Sequence, residues 1–103
     1  MVLTGLVTCK DAEEARKISL ALVEKRLAAC ANIIPATESV YRWKGKVEKA
    51  QEALLVFKTR ESLKERAMKE IERIHGYELP AIEFFEAKTG QRVKEWVWKE
   101  TEL

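Results

Sequence analysis

Absences say most about this chain of 103 residues, which contains one His, two Cys, two Pro and four Gly. A lone imidazole and two thiols without Cys-x-x-Cys spacing make no standard zinc signature, and Cys9 and Cys30 read as reduced thiols rather than a bridge. Asp11 is the only Asp, Asn32 the only Asn, and Gln51 and Gln91 the only Gln. The remaining acids are Glu set against abundant Lys, a bias of proteins from hot environments that speaks to stability, not activity. No glycine-rich phosphate loop, nucleophile elbow or zincin helix occurs. The longest uncharged stretch, Leu27 to Thr37, contains Pro35 and falls well short of the roughly 20 apolar residues of a membrane-crossing helix. Residues 1–8 lack the basic region and cleavage site of a signal peptide, so a cytoplasmic protein is the simplest inference. Nineteen Lys and Arg against seventeen Asp and Glu leave a net charge of +2, which excludes a strongly basic nucleic-acid domain as the default.

What is present fits a single domain over residues 1–103. Met1 to Thr8 looks like a strand. Asp11 and Glu14 form a capping box, and Ala15, Ile18, Ser19 and Leu22 follow helical spacing, which predicts a helix to about Leu27. Ser62 and Glu65 repeat the capping pattern ahead of the apolar row Leu63, Ala67, Ile71 and Ile74, with Gly76 as the stop. Between the helices, Ala31 to Arg42 and Lys46 to Thr59 read as a β-hairpin turning at Gly45. Residues 81–88 form a further strand with Phe84 and Phe85 on opposite faces. Val93, Trp96 and Val97 mark a C-terminal helix that is expected to cover an exposed sheet edge. The order is that of an α/β (α+β) protein, a ferredoxin-like βαββαβ sandwich with an antiparallel sheet, a long protruding β-hairpin and a C-terminal helix.

The hairpin carries a length argument. A continuous strand from Asn32 to Trp43 spans about 40 Å, against a radius of gyration of about 13 Å for a compact domain of this size. Its tip must protrude, exposing Val40, Tyr41, Trp43 and Val47, and a neighbouring identical subunit is the simplest cover. The alternative is a bulge near Pro35 that folds the hairpin back onto its own domain.

Few residues suggest chemistry by type alone. His75 ends a helix, where the macrodipole favours the protonated ring, or it is a helix-end residue bonded to a carbonyl. Cys30 reads as a small buried thiol or a soft-metal ligand. Cys9, at a helix N-terminus, is either incidental or activated by that position. No nucleophile and base pair is visible, so the chain reads as a binding or assembly module, not an enzyme.

One resemblance covers nearly the whole chain. Leu27-Ala28-Ala29-Cys30-Ala31-Asn32, Ser39-Val40-Tyr41-Arg42-Trp43-Lys44-Gly45-Lys46, Lys58-Thr59 and His75-Gly76-Tyr77-Glu78-Leu79-Pro80 resemble the CutA family of divalent-cation tolerance proteins. The resemblance implies a ferredoxin-like subunit, a homotrimer similar in architecture to PII signalling proteins, a cytoplasmic setting and a link to copper and heavy-metal tolerance. Copper binding in the family is attributed to a Cys of the first strand and a His-His pair; here those positions hold Val7, Ile74 and His75. Gly76 stands where the family usually has Pro. The expectation is a cytoplasmic homotrimer with no obligatory cofactor that binds Cu²⁺, another divalent cation or a small ligand in clefts between subunits. Trp43, Glu52, Lys58 and Tyr77 are its ligand-binding candidates, and His75 and Cys30 its metal candidates. The other reading is a PII-like signalling or assembly module that binds a metabolite or partner protein without metal chemistry.

Overall fold

Strict alternation along the first strand sends Leu3, Gly5, Val7 and Cys9 to one side and Thr4, Leu6 and Thr8 to the other, and the rest of the fold is built on that division. The computed structural model describes residues 1–101; the last two residues of the expected 1–103 domain lie outside the described residues. The elements are β1 (Val2–Cys9), α1 (Ala12–Glu24), β2 (Cys30–Trp43), β3 (Lys46–Arg60), a 3₁₀ turn (Glu61–Leu63), α2 (Lys64–Ile74), β4 (Ile82–Ala87) and α3 (Gln91–Glu100). The strands form one antiparallel sheet in the order β2-β3-β1-β4. This is the expected α+β, ferredoxin-like arrangement. Helices α1 and α2 pack against one face, burying Ile18, Leu22, Ala67 and Ile71 on Val7, Leu55 and Phe57.

Gly5 makes room for an aromatic pair in this core. It faces Phe57 on β3 and Phe84 on β4, whose rings meet edge to face with centroids 5.8 Å apart. A Cβ on Gly5 would lie 2.1 Å from Cζ of Phe57, so the ring occupies the space a side chain would need. Phe85 is half exposed on the opposite face.

Helix boundaries differ from the sequence expectation for local reasons. Asp11 caps α1 as expected, its Oδ1 accepting from the Glu14 amide at 2.9 Å. The helix then stops at Glu24, three residues before Leu27, in a Schellman closure: Leu27 N–H donates to Leu22 C=O and Arg26 N–H to Val23 C=O. Arg26 holds the left-handed position at φ 60°, usually given to Gly, so the stop left no glycine in the sequence. Ser62 does not cap α2; it lies within the 3₁₀ turn, no side chain caps the helix, and Leu63 anchors the start by burial. Helix α3 does not cover a sheet edge. It packs on the inner strand β3, where Arg60 lies over the Trp98 ring and donates to Thr101 C=O.

The hairpin protrudes and also curves. The molecule measures 44 × 25 × 22 Å, and residues 38–49 are exposed apart from a half-buried Ser39, with Val40 at 68% and Val47 at 60%. Between Ile34 and Thr37, β2 carries one residue more than β3, a bulge that bends the arm. The bend brings Lys44 Nζ to 3.8 Å from Glu78 of the loop that follows α2. The bulge expected near Pro35 is present and the arm leans toward its own body, yet Val40, Tyr41 and Val47 stay exposed.

Two predictions come from the packing. Gly5→Ala forces the Phe57 ring out of place and costs about 1–3 kcal/mol, read as a lowered urea midpoint with unchanged m-value. Glu70 is held by Lys25 at 2.7 Å and by two bonds from Arg73, at 3.0 and 2.8 Å. The Arg73 and Lys25 hydrogen bonds lower its carboxyl from 4.5 to about 2. A carboxyl held low stabilises the fold above its ordinary value and loses that contribution as pH falls through the lowered one. Glu70→Gln should therefore lower Tm at pH 6, by the equivalent of about 1 kcal/mol given the exposure of both cations. Thermal scans should show the gap to wild type closing between pH 4.5 and about 2.

Candidate functional site

The chain leaving α2 must return to β4 past the end of β1, and His75 fixes how it does so. The ring is fully enclosed. Its Nδ1 accepts from the Tyr77 amide at 3.1 Å, so the proton sits on Nε2, which donates to Thr8 C=O at 2.8 Å. The carbonyl-bonded reading of His75 is the one observed. Glu14 secures the same loop: Oε2 accepts from the Gly76 amide and Oε1 from the Lys10 amide, each at 3.0 Å. The helix-capping acid therefore ties α1 to both β1 and the loop.

Pinned this way, Tyr77 reaches across to β3. Its hydroxyl donates to Glu52 Oε2 at 2.6 Å. Burial and that carboxylate raise the phenol above its ordinary value, so it remains a donor. Glu52 is buried at 7% exposure. Among the described residues no Lys or Arg forms an ion pair with it. Beside this pair a cleft of about 470 Å³ opens between the arm and the 75–81 loop, with Tyr41 and Trp43 on the arm side and Tyr77, Glu78 and Leu79 on the loop side.

Behind the loop, Cys9, Glu14 and His75 place their ligand atoms within 4.8 Å of one another, all buried. Cys9 is not activated by its helix N-terminus. Burial first, then the carboxylates Glu14, Glu52 and Asp11, push the thiol up to about 12. The sulfur, carboxylate and imidazole are a mixed donor set that suits a borderline divalent cation such as copper or zinc, provided the metal displaces both the thiol proton and the Tyr77 amide from the Nδ1 lone pair of His75.

The sequence candidates divide into two places. Trp43, Glu52 and Tyr77 share the cleft, and His75 stands behind it. Lys58 and Cys30 are cross-strand partners at the other end of the sheet. Lys58 lies six residues from Glu52 along β3, about 20 Å at strand spacing. Cys30 is displaced from Thr8, which holds His75, by four residues along β3 and by two strands across the sheet, so one chain does not bring His75 and Cys30 together. The sequence reading does not join Cys9 and Glu14 to His75, because more than 60 residues separate them from it and their own local roles, strand end and capping box, look complete.

A profile of the CutA1 divalent ion tolerance protein matches residues 3–100. The chain belongs to this family. A CutA homolog from Danio rerio is 43% identical over 93 residues, covering 89% of this chain and 62% of that protein. The divalent-cation tolerance protein CutA of Thermus thermophilus is 41% identical over 87 residues, 84% of each chain. Among solved structures, the periplasmic divalent cation tolerance protein CutA from Archaeoglobus fulgidus superposes with a TM-score of 0.95 at 32% identity, covering 99% of this chain and 100% of that one. This CutA-family chain spans between 57% and 62% of the length of the first three vertebrate relatives.

The Tyr77–Glu52 bond is testable by itself. Tyr77→Phe leaves a buried carboxylate without its donor and should cost about 1–3 kcal/mol, measured by urea unfolding at pH 7. An unchanged midpoint would show that water replaces the hydroxyl freely.

Proposed function

We propose that this divalent-cation tolerance protein works in the cytoplasm as a homotrimer that binds a divalent cation, copper or zinc, or a small ligand beside the clefts where its subunits meet, without catalysing a reaction. One observation carries the reading: an aromatic and acidic cleft lies against a buried Cys9, Glu14 and His75 donor set. Association is supported by the arm, with its exposed Val40, Tyr41 and Val47, and by the sheet face turned away from α1 and α2. That face presents Leu6, Leu54 and Val56 half buried and Ile34 and Phe85 about half exposed, more apolar surface than a lone domain keeps wet. Cys30 and Lys58 sit on this face, so their part in the reading runs through neighbouring copies. Both cysteines are free thiols, which fits a reducing compartment. The signalling alternative shares the cleft and omits the metal.

Sedimentation velocity at micromolar concentration should give the mass of three chains; a well-folded single chain would sink the assembly. Metal binding must expel the Cys9 proton, so Zn²⁺ affinity, the redox-inert probe beside Cu²⁺, should rise about tenfold per pH unit between roughly pH 6 and 8. Cys9→Ser should flatten that slope and His75→Ala should weaken binding at every pH. Identical isotherms across all three proteins would remove the metal from the proposal.

A further inference from the structure

Glu52 poses a problem that its own chain does not solve. A carboxylate this deeply buried is costly to keep charged unless something compensates it. Tyr77 supplies one hydrogen bond at 2.6 Å, and no cation of the described residues is paired with it. The cleft it borders has no basic lining residue; its walls are Tyr41, Trp43 and Tyr77 with Leu79, and its second acid is Glu78. Aromatic faces carry negative potential and attract ammonium and guanidinium groups. At the rim the chain already demonstrates the pairing: Lys44 Nζ lies 5.8 Å from the centroid of the Trp43 ring and 3.8 Å from Glu78.

We infer that the cleft binds an organic cation, an ammonium group on an apolar body, with the ammonium directed to Glu52 and the body between Trp43 and Tyr77. A bare divalent ion suits this position less well, because hard cations need several oxygens and the cleft is walled largely by aromatic and aliphatic carbon. The volume of about 470 Å³ admits a molecule with one ring and a short chain. The inference rests on the proposed cleft and names the ligand class it takes. It is independent of the metal donors behind the loop.

Phenethylamine and phenethyl alcohol, nearly equal in shape and differing in charge at pH 7, are the probes. Isothermal titration into the assembled protein should show the amine binding at least about tenfold more tightly than the alcohol, a difference of about 1.4 kcal/mol. Glu52→Gln should bring the two probes close to parity. Trp43→Leu, a change outside the buried core of the chain and checked by sedimentation for unchanged mass, should weaken the amine several-fold and the alcohol little. Parity in the wild-type protein, an unchanged preference in both variants, or no amine binding up to roughly 10 mM would overturn the inference. Parallel Zn²⁺ titration and sedimentation keep it distinct from the proposed function. Amine selectivity in a protein that binds no metal, or that is a single chain, leaves the inference standing while that part of the function fails.

Discussion

A single imidazole, engaged through both of its nitrogens, decides where the working surface of this molecule lies. His75 closes a ring of bonds from the end of β1 to the loop after α2. Without that closure the Glu14 carboxylate is the tie that remains at the start of the loop, on the Gly76 amide. Tyr77 would then have no fixed approach to Glu52, and the cleft would lose one wall. The energetic logic is that of a buried polar network, in which each member is costly alone and stabilising once every donor and acceptor is matched. Cys9 lies beside this network, kept protonated first by burial and then by the nearby carboxylates, and available only to a ligand that can displace that proton.

Gly76 adds a backbone tie to this network. Its amide donates to Glu14, and a Cβ at that position would come within 3.1 Å of the same carboxylate oxygen. A proline at this position would have no N–H to give. The tie between α1 and the loop therefore depends on a backbone N–H at this position, and Glu14 serves as loop anchor and candidate ligand at once.

The sequence carried the framework well and the site unevenly. Periodicity was enough for four strands and the helices because each buries one face, and burial writes itself into spacing. Phe84 and Phe85 sort to opposite faces for that reason. Features resting on backbone geometry without a marker residue were illegible. The Schellman closure at Arg26 lacks its glycine, and the 3₁₀ turn displaced a capping box that Ser62 and Glu65 appeared to spell. At the site, Trp43, Glu52 and Tyr77 were recoverable from the resemblance, whereas Cys9 and Glu14 were hidden by distance along the chain. The grouping of Lys58 with Cys30, away from the cleft, follows from β-ladder register, which composition and motif do not encode.

The bulge in β2 has a further meaning for an edge strand of this length. An uninterrupted 14-residue border would offer a foreign strand a continuous row of amides and carbonyls, the template on which fibrils grow. Pro35 carries no N–H, and the extra residue beside it throws the spacing out of step. A newcomer can dock on either side of the interruption but cannot zip along the whole border. The same irregularity that curves the arm thus makes open-ended polymerisation unfavourable while leaving shorter, closed associations permitted.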